Sequence, residues 1–166
     1  MWNLPESLSV EMLEPYPVVR ASSTLLLSAL RLPDGTRAPL ELSLTGGLQV
    51  GPAVGADALI PFRGVGRRSD GAEGCELFGG YALSAGGTTL LRRFDPVEGS
   101  LGETLAELPG TALSLTELAA ADGMPATVWL LCGDGDRRTI HGFDPLGGDV
   151  YTFAAPEGCS ALVGVQ

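Results

Sequence analysis

Two six-residue segments, Phe94-Asp95-Pro96-Val97-Glu98-Gly99 and Phe143-Asp144-Pro145-Leu146-Gly147-Gly148, share the pattern Phe-Asp-Pro-x-x-Gly at an offset of 49, from 94 to 143. An offset of roughly 20–50 residues is the mark of a chain built from repeated supersecondary units. Asp ahead of Pro starts a turn by bonding its own backbone downstream, and a closing Gly permits the left-handed conformation that ends it. Each copy ends a short strand-like run, Thr88 to Phe94 and Arg138 to Phe143, so each reads as a strand delivered into a tight turn. Glycine (24) and proline (12) together make about 22% of the 166 residues, below the roughly 25–30% of low-complexity disorder, and are best read as turn markers. The length fits one domain.

The last forty residues can be read strand by strand. Ala126 to Cys132 is apolar and β-prone, Gly133-Asp134-Gly135-Asp136 turns, and Arg138 to Phe143 returns. After the Asp144-Pro145 turn, Val150 to Ala154 is a third strand, and Ser160 to Val165, beyond Pro156-Glu157-Gly158, is a fourth. A first turn centred on Asp134 and Gly135 sets Trp129 opposite Ile140, and a second centred on Leu146 and Gly147 sets Ile140 opposite Phe153. Trp129, Leu131, Ile140, Tyr151 and Phe153 then share one face, the expected core face.

Tyr81 to Ser84, a Gly86-Gly87 turn, and Thr88 to Phe94 repeat that pattern upstream, and Pro109 to Leu113 takes the place of Pro156 to Leu162. A third copy opens with Thr24 to Leu32, the Pro33-Asp34-Gly35 turn, and alternating Leu40, Leu42 and Leu44; Gly46 to Gly74 reads as a long loop with one strand, Ala58 to Phe62. The expectation is a single all-β domain, 1–166, of about three antiparallel four-stranded meander units, approximately 17–72, 75–122 and 126–166. At most one or two short helices fit. Ser114-Leu115-Thr116-Glu117 matches a capping box, leaving helix and strand equally open over Leu115 to Ala121, and Pro5 to Leu13 could form a helical turn or two.

Strand, Phe-Asp-Pro-x-x-Gly turn, strand, repeated with four strands per unit, resembles the blades of β-propeller proteins over Cys75 to Val165. Propellers have about four to eight blades, so this resemblance implies that three units close by pairing with a second chain into a six-bladed ring. Three such units also resemble the threefold β-trefoil and β-prism folds, which implies a carbohydrate-binding module as an alternative.

The residues that are missing exclude several chemistries. There is no lysine, so all ten basic residues are arginine, and His141 is the single histidine. A Walker loop and a Schiff-base enzyme each need a lysine, and a paired-histidine zinc site needs two histidines. No Gly-x-Ser-x-Gly elbow occurs, and Gly64-Val65-Gly66 fails as a dinucleotide fingerprint at its third glycine. A net charge of −10 opposes binding to nucleic acid or to an anionic membrane surface. Cys75, Cys132 and Cys159 form no close pair, which suits free thiols, and with no leader or spanning segment in view the expected location is cytoplasmic.

The remaining candidates are weighed by geometry. The hairpin register sets Cys132 opposite Arg137 and His141 opposite Val128, too far apart for a thiolate–imidazole pair. The three cysteines and His141 lack knuckle spacing, so no metal site is expected, and Gly133-Asp134-Gly135-Asp136 lacks the later glutamate of a calcium loop. Asp95 and Asp144 read as turn residues. The arginine doublets Arg67-Arg68, Arg92-Arg93 and Arg137-Arg138 stand out in an acidic chain. Adjacent strand residues point to opposite faces, so one of Arg92 and Arg93 should point inward or toward a partner, and a buried arginine needs a paired carboxylate. The candidate binding residues are therefore Arg92, Arg93, Arg137, Arg138 and His141, with catalytic residues unassigned and no cofactor expected. These readings converge on a non-enzymatic binding or assembly module that acts through sheet surfaces and self-associates or takes a protein partner. The alternatives are a lectin-like module, an inhibitor or immunity-type protein that neutralises a basic partner, and a small lyase or hydrolase using His141 or an acidic pair.

Overall fold

The computed structural model describes residues 19–20, 25–45, 47–68, 70–119 and 125–163. Sheet 1 comprises β1 (Val19–Arg20), β2 (Leu25–Arg31), β3 (Arg37–Ser43) and β4 (Gly47–Val50). Sheet 2 comprises β5 (Ala58–Arg67), β6 (Cys75–Ala85), β7 (Thr88–Asp95) and β8 (Ser100–Pro109). Sheet 3 comprises β9 (Thr111–Ala119), β10 (Pro125–Asp134), β11 (Arg137–Phe143) and β12 (Val150–Ala154). All three are antiparallel meanders, and no helix occurs among the described residues, so the all-β expectation of three four-stranded units holds.

The unit boundaries differ from those expected. The sheets span 19–50, 58–109 and 111–154, rather than 17–72, 75–122 and 126–166. The expected long loop 46–74 holds two strands, β4 and the ten-residue β5. Glycines inside β5 hide it from an apolarity scan, yet they are required there: a Cβ on Gly64 would lie 2.9 Å from the Phe78 ring. The capping-box segment is strand to Ala119, because β9 is the first strand of sheet 3 and pairs along β10. Ala120 and Ala121, like Pro5 to Leu13, lie outside the described residues. Of the fourth strand expected over Ser160 to Val165, Gly164 and Val165 lie outside the described residues and Ser160 to Val163 is not a strand. That part of the tail is held instead by Ser114, whose Oγ accepts from the Leu162 N–H at 3.1 Å.

Turn chemistry behaves as expected at both repeat positions. Asp95 Oδ1 accepts from the N–H of Val97 (2.8 Å), and Asp144 Oδ1 accepts from the N–H of Leu146 (2.9 Å). The closing Gly99 and Gly148 have φ of 64° and 76°, where any Cβ is strained. The β10–β11 hairpin is centred on Gly135 and Asp136, one residue beyond the expected centre, so Trp129 faces Gly142 and Leu131 faces Ile140. Ile140 opposite Phe153 is as expected.

Each sheet packs its face on the next. Leu27 and Ala29 of sheet 1 meet Leu59, Tyr81 and Phe94 of sheet 2. From the opposite face of sheet 2, Ile60, Phe62, Phe78, Ala82, Leu91 and Leu108 meet Ala112, Val128, Leu130, Cys132 and Phe143 of sheet 3. Phe94 and Phe143, equivalent in the repeat, both point at the preceding sheet. Polar ties cross both seams. The buried Tyr81 hydroxyl donates to the Ser28 carbonyl at 2.7 Å. At the second seam, Ser84 Oγ and Thr89 Oγ1 lie 2.8 Å apart; Thr89 donates to the Gly110 carbonyl (2.7 Å), and the Ala112 N–H reaches Ser84 Oγ (2.9 Å). These hydroxyls satisfy backbone groups where the chain passes from sheet 2 to sheet 3, groups that are costly to bury unpaired. Glu117 on β9 adds a clamp, accepting from both the backbone N–H (2.8 Å) and Nε (2.5 Å) of Arg63 on β5.

Candidate functional site

The outer face of sheet 3 is where the structure departs most usefully from expectation. Trp129, Leu131, Ile140, Tyr151 and Phe153 do share a face, but it is the one turned away from sheet 2. The core is built from Val128, Leu130, Cys132 and Phe143 on the other side. Alternation could not choose between them because β10 is apolar on both faces, the usual sign of a strand meant to be covered twice.

The chain itself covers one part of this face, where Leu131 is fully buried and the tail is bound to Ser114 through Leu162, and leaves the Phe153 end open. The rings of Trp129 and Phe153 stack with centroids 6.0 Å apart and planes at 28°. A groove of about 340 Å³ runs beside them, lined by Thr116, Leu118, Trp129, Ile140 and Phe153, with Leu162 and Val163 at its end. Phe153 is 52% exposed, Tyr151 46% and Leu118 39%. Local sequence shapes the groove. A Cβ on Gly142 would lie 2.8 Å from the Trp129 ring, so glycine there lets the indole lie flat across β11. The indole N–H donates to Thr127 Oγ1 (2.8 Å), which fixes the ring and leaves its apolar surface outward. Among the described residues none that lines the groove is titratable, so what they present is an apolar surface with the single hydroxyl of Thr116.

The expected binding residues are dispersed. Arg92 is structural: its Nε donates to the Gly102 carbonyl and Nη2 to Leu101, both at 3.0 Å. Arg93, on the opposite face as alternation requires, pairs with Glu76 and lies over the Phe78 ring, 4.6 Å from its centroid. Arg138 folds back on its own hairpin, donating to the Gly135 carbonyl at 2.8 Å, and Arg137 is exposed beside it. Arg67, Arg68 and Arg93 do line a second groove of about 520 Å³ between the ends of sheets 2 and 3, with Glu103. Arg68 is paired with Asp70 and Arg93 with Glu76, while Arg67 is exposed.

His141 sits opposite Leu130, not Val128, and Cys132 opposite Thr139, not Arg137. The imidazole is buried, with Nδ1 3.1 Å from Thr152 Oγ1. Burial lowers its pKa, and the Pro109 carbonyl, which favours the charged ring, offsets this only in part. Burial likewise pushes the Cys132 thiol up to about 11, against a smaller effect of Thr89, so neither group is poised for nucleophilic work. Among the described residues no cluster of three His, Cys, Asp or Glu side chains could hold a metal ion, and no helix is long and apolar enough to cross a membrane.

The buried neutral imidazole has a consequence for stability. Its folded pKa is depressed, so the unfolded chain binds the extra proton as pH falls below the ordinary histidine value of 6.5. Stability is therefore full above that pH and declines through the window below it. Urea unfolding at pH 7.5 and pH 5.5 is expected to show the loss, and His141→Gln to flatten it over that window. A His141→Gln chain with the wild-type slope would assign the dependence elsewhere.

No family model and no curated protein matches this sequence. Among solved structures, the chain is similar to a DUF4784 family protein from Bacteroides caccae ATCC 43185, with a TM-score of 0.65 and 23% identity. The match covers 92% of this chain and 38% of that protein, so this chain spans well under half of its neighbour's length. The likeness is one of fold.

Proposed function

We propose that this chain is a non-enzymatic binding and assembly module whose working surface is the apolar outer face of sheet 3. The observation that carries this reading is the Trp129–Phe153 groove, which has exposed apolar walls and no titratable lining. The position of the face within the repeat supports it. In sheet 2 the side turned away from the preceding sheet receives sheet 3, through Phe62, Ala82 and Leu91. In sheet 3 the corresponding side carries Trp129, Ile140 and Phe153. The first strands of successive sheets neighbour one another, β1 beside β5 and β5 beside β9, which supports reading the three sheets as successive propeller-like units. The ligand best suited to the last face is the apolar side of a strand or sheet of a partner protein. A sugar is a poorer fit. Aromatic rings can stack on sugars, but Thr116 alone among the lining side chains carries a hydroxyl, and the indole N–H is already taken.

A neutral solvatochromic dye such as Nile red tests the surface without contribution from the acidic net charge. The wild-type chain is expected to enhance its emission, and Leu118→Lys, which places a charge in the groove wall, to reduce the enhancement at least severalfold while circular dichroism stays unchanged. Equal enhancement by both chains would contradict this reading.

A further inference from the structure

We infer that two copies of this chain pair through the free edge of β12, joining their third sheets into one eight-stranded antiparallel sheet. This rests on the assembly reading above and names its partner. β12 is the outermost strand of sheet 3, and all five residues, Val150-Tyr151-Thr152-Phe153-Ala154, are exposed. No residue of the strand is charged, whereas the outer strand of sheet 2, β8, carries Glu103 and Glu107. Charges on an edge are the usual guard against pairing with another chain, and β12 lacks them.

The backbone phase fixes the register. The Ala155 N–H donates to Arg138 O, and the Asp144 N–H to Asp149 O, so alternation turns Tyr151 and Phe153 toward β11 and leaves the N–H and C=O of Val150, Thr152 and Ala154 pointing outward. An antiparallel copy related by a two-fold axis at Thr152 then makes hydrogen-bonded pairs Thr152–Thr152 and Val150–Ala154. Between them falls the non-hydrogen-bonded pair Tyr151–Phe153, where side chains approach closest and two aromatics gain most. The pairing is self-complementary, as a two-fold interface requires. Asp149 lies across from Ala155, so this axis brings no acidic residues of the strand ends together despite the net charge of −10. A six-bladed ring would instead need the far face of sheet 1, where Leu30, Ala38 and Leu40 are already 0–2% exposed. Edge pairing leaves both grooves open and on the same side of the joined sheet.

Sedimentation velocity across micromolar concentrations should give twice the chain mass of 17.1 kDa. Ala154→Pro removes one outward N–H while sparing the bonds to β11, and Tyr151→Lys puts a charge beside the axis, opposite Phe153 of the other copy; each is expected to weaken dimerisation at least tenfold. Register is read by mixing Tyr151→Cys and Phe153→Cys chains on a Cys75→Ser/Cys159→Ser background, which should yield a disulfide-linked heterodimer in excess over either homodimer. A monomeric wild type, a dimer unaffected by Ala154→Pro, or the absence of that heterodimer excess would overturn the pairing. Leu118→Lys should leave the dimer intact and Ala154→Pro should leave dye enhancement intact, so failure of the edge and failure of the groove are read separately.

Discussion

Phe62→Ala should lower the unfolding free energy by about 4 kcal/mol, within the roughly 3–5 kcal/mol that truncating a buried phenylalanine costs. Phe62 is fully buried at the second seam, edge-on to Phe78 with centroids 6.3 Å apart, and faces Gly80 across the β5–β6 ladder. Sheets 2 and 3 share this one apolar layer, so the cavity cannot be closed by moving either sheet without opening the layer elsewhere. For a chain of this length the melting temperature should fall by roughly 8–16 °C. Calorimetry of the purified variant measures it; a drop of under about 3 °C would show that the two sheets do not depend on each other at this point.

The second large effect is its steric mirror image. A Cβ on Gly80 would lie 2.5 Å from Phe62 Cζ and 2.7 Å from the Arg92 carbonyl oxygen. The first contact is with a ring that could tilt, the second with the backbone of β7, which is held in the ladder. Gly80→Ala is therefore expected to cost about 3 kcal/mol or more, the upper end for overpacking by a single methyl group. Adding Phe62→Leu removes the ring contact but not the carbonyl, so the double variant should recover only part of the loss. A double-mutant cycle measured by urea unfolding quantifies the coupling; full recovery would mean that β7 yields, and no recovery would mean that the ring is not in the way.

How much of this could be read from the sequence follows from where the information lies. The Phe-Asp-Pro-x-x-Gly turns are local chemistry: Asp95 and Asp144 cap the backbone two residues on, whatever packs above them. Their recurrence marks two of the three units, the third being read from the Pro33-Asp34-Gly35 turn and the alternating Leu40, Leu42 and Leu44, and the parity of β10, β11 and β12 correctly grouped Trp129, Ile140 and Phe153 on one face even with the turn centre misplaced by a residue. Which side of that sheet is buried was not legible. Both sides are apolar, and the choice is made by Phe62 and Phe78, distant in the chain, which claim the Val128–Phe143 side. Unit boundaries failed for a related reason. Gly64 and Gly80 are breakers to a local reading, yet in β5 and β6 they are the spaces into which Phe78 and Phe62 fit. Of the arginine doublets, Arg92 and Arg93 are engaged by backbone carbonyls and Glu76 and Arg68 by Asp70 at the surface, whereas Arg67 and Arg137 are exposed; a local reading cannot tell these apart.

The proposed surface was legible as a set of residues and became a candidate site only when the structure turned it outward. Trp129 lies in that surface and Trp2 is the other tryptophan, so a Trp2→Phe chain carries a single reporter in the groove. The most direct measurement titrates this chain with Nile red and follows quenching of the Trp129 emission by energy transfer. If the outer face of sheet 3 is the working surface, quenching rises with dye binding and both are lost together in the Trp2→Phe/Leu118→Lys chain. Dye binding that leaves the Trp129 emission unchanged would contradict it.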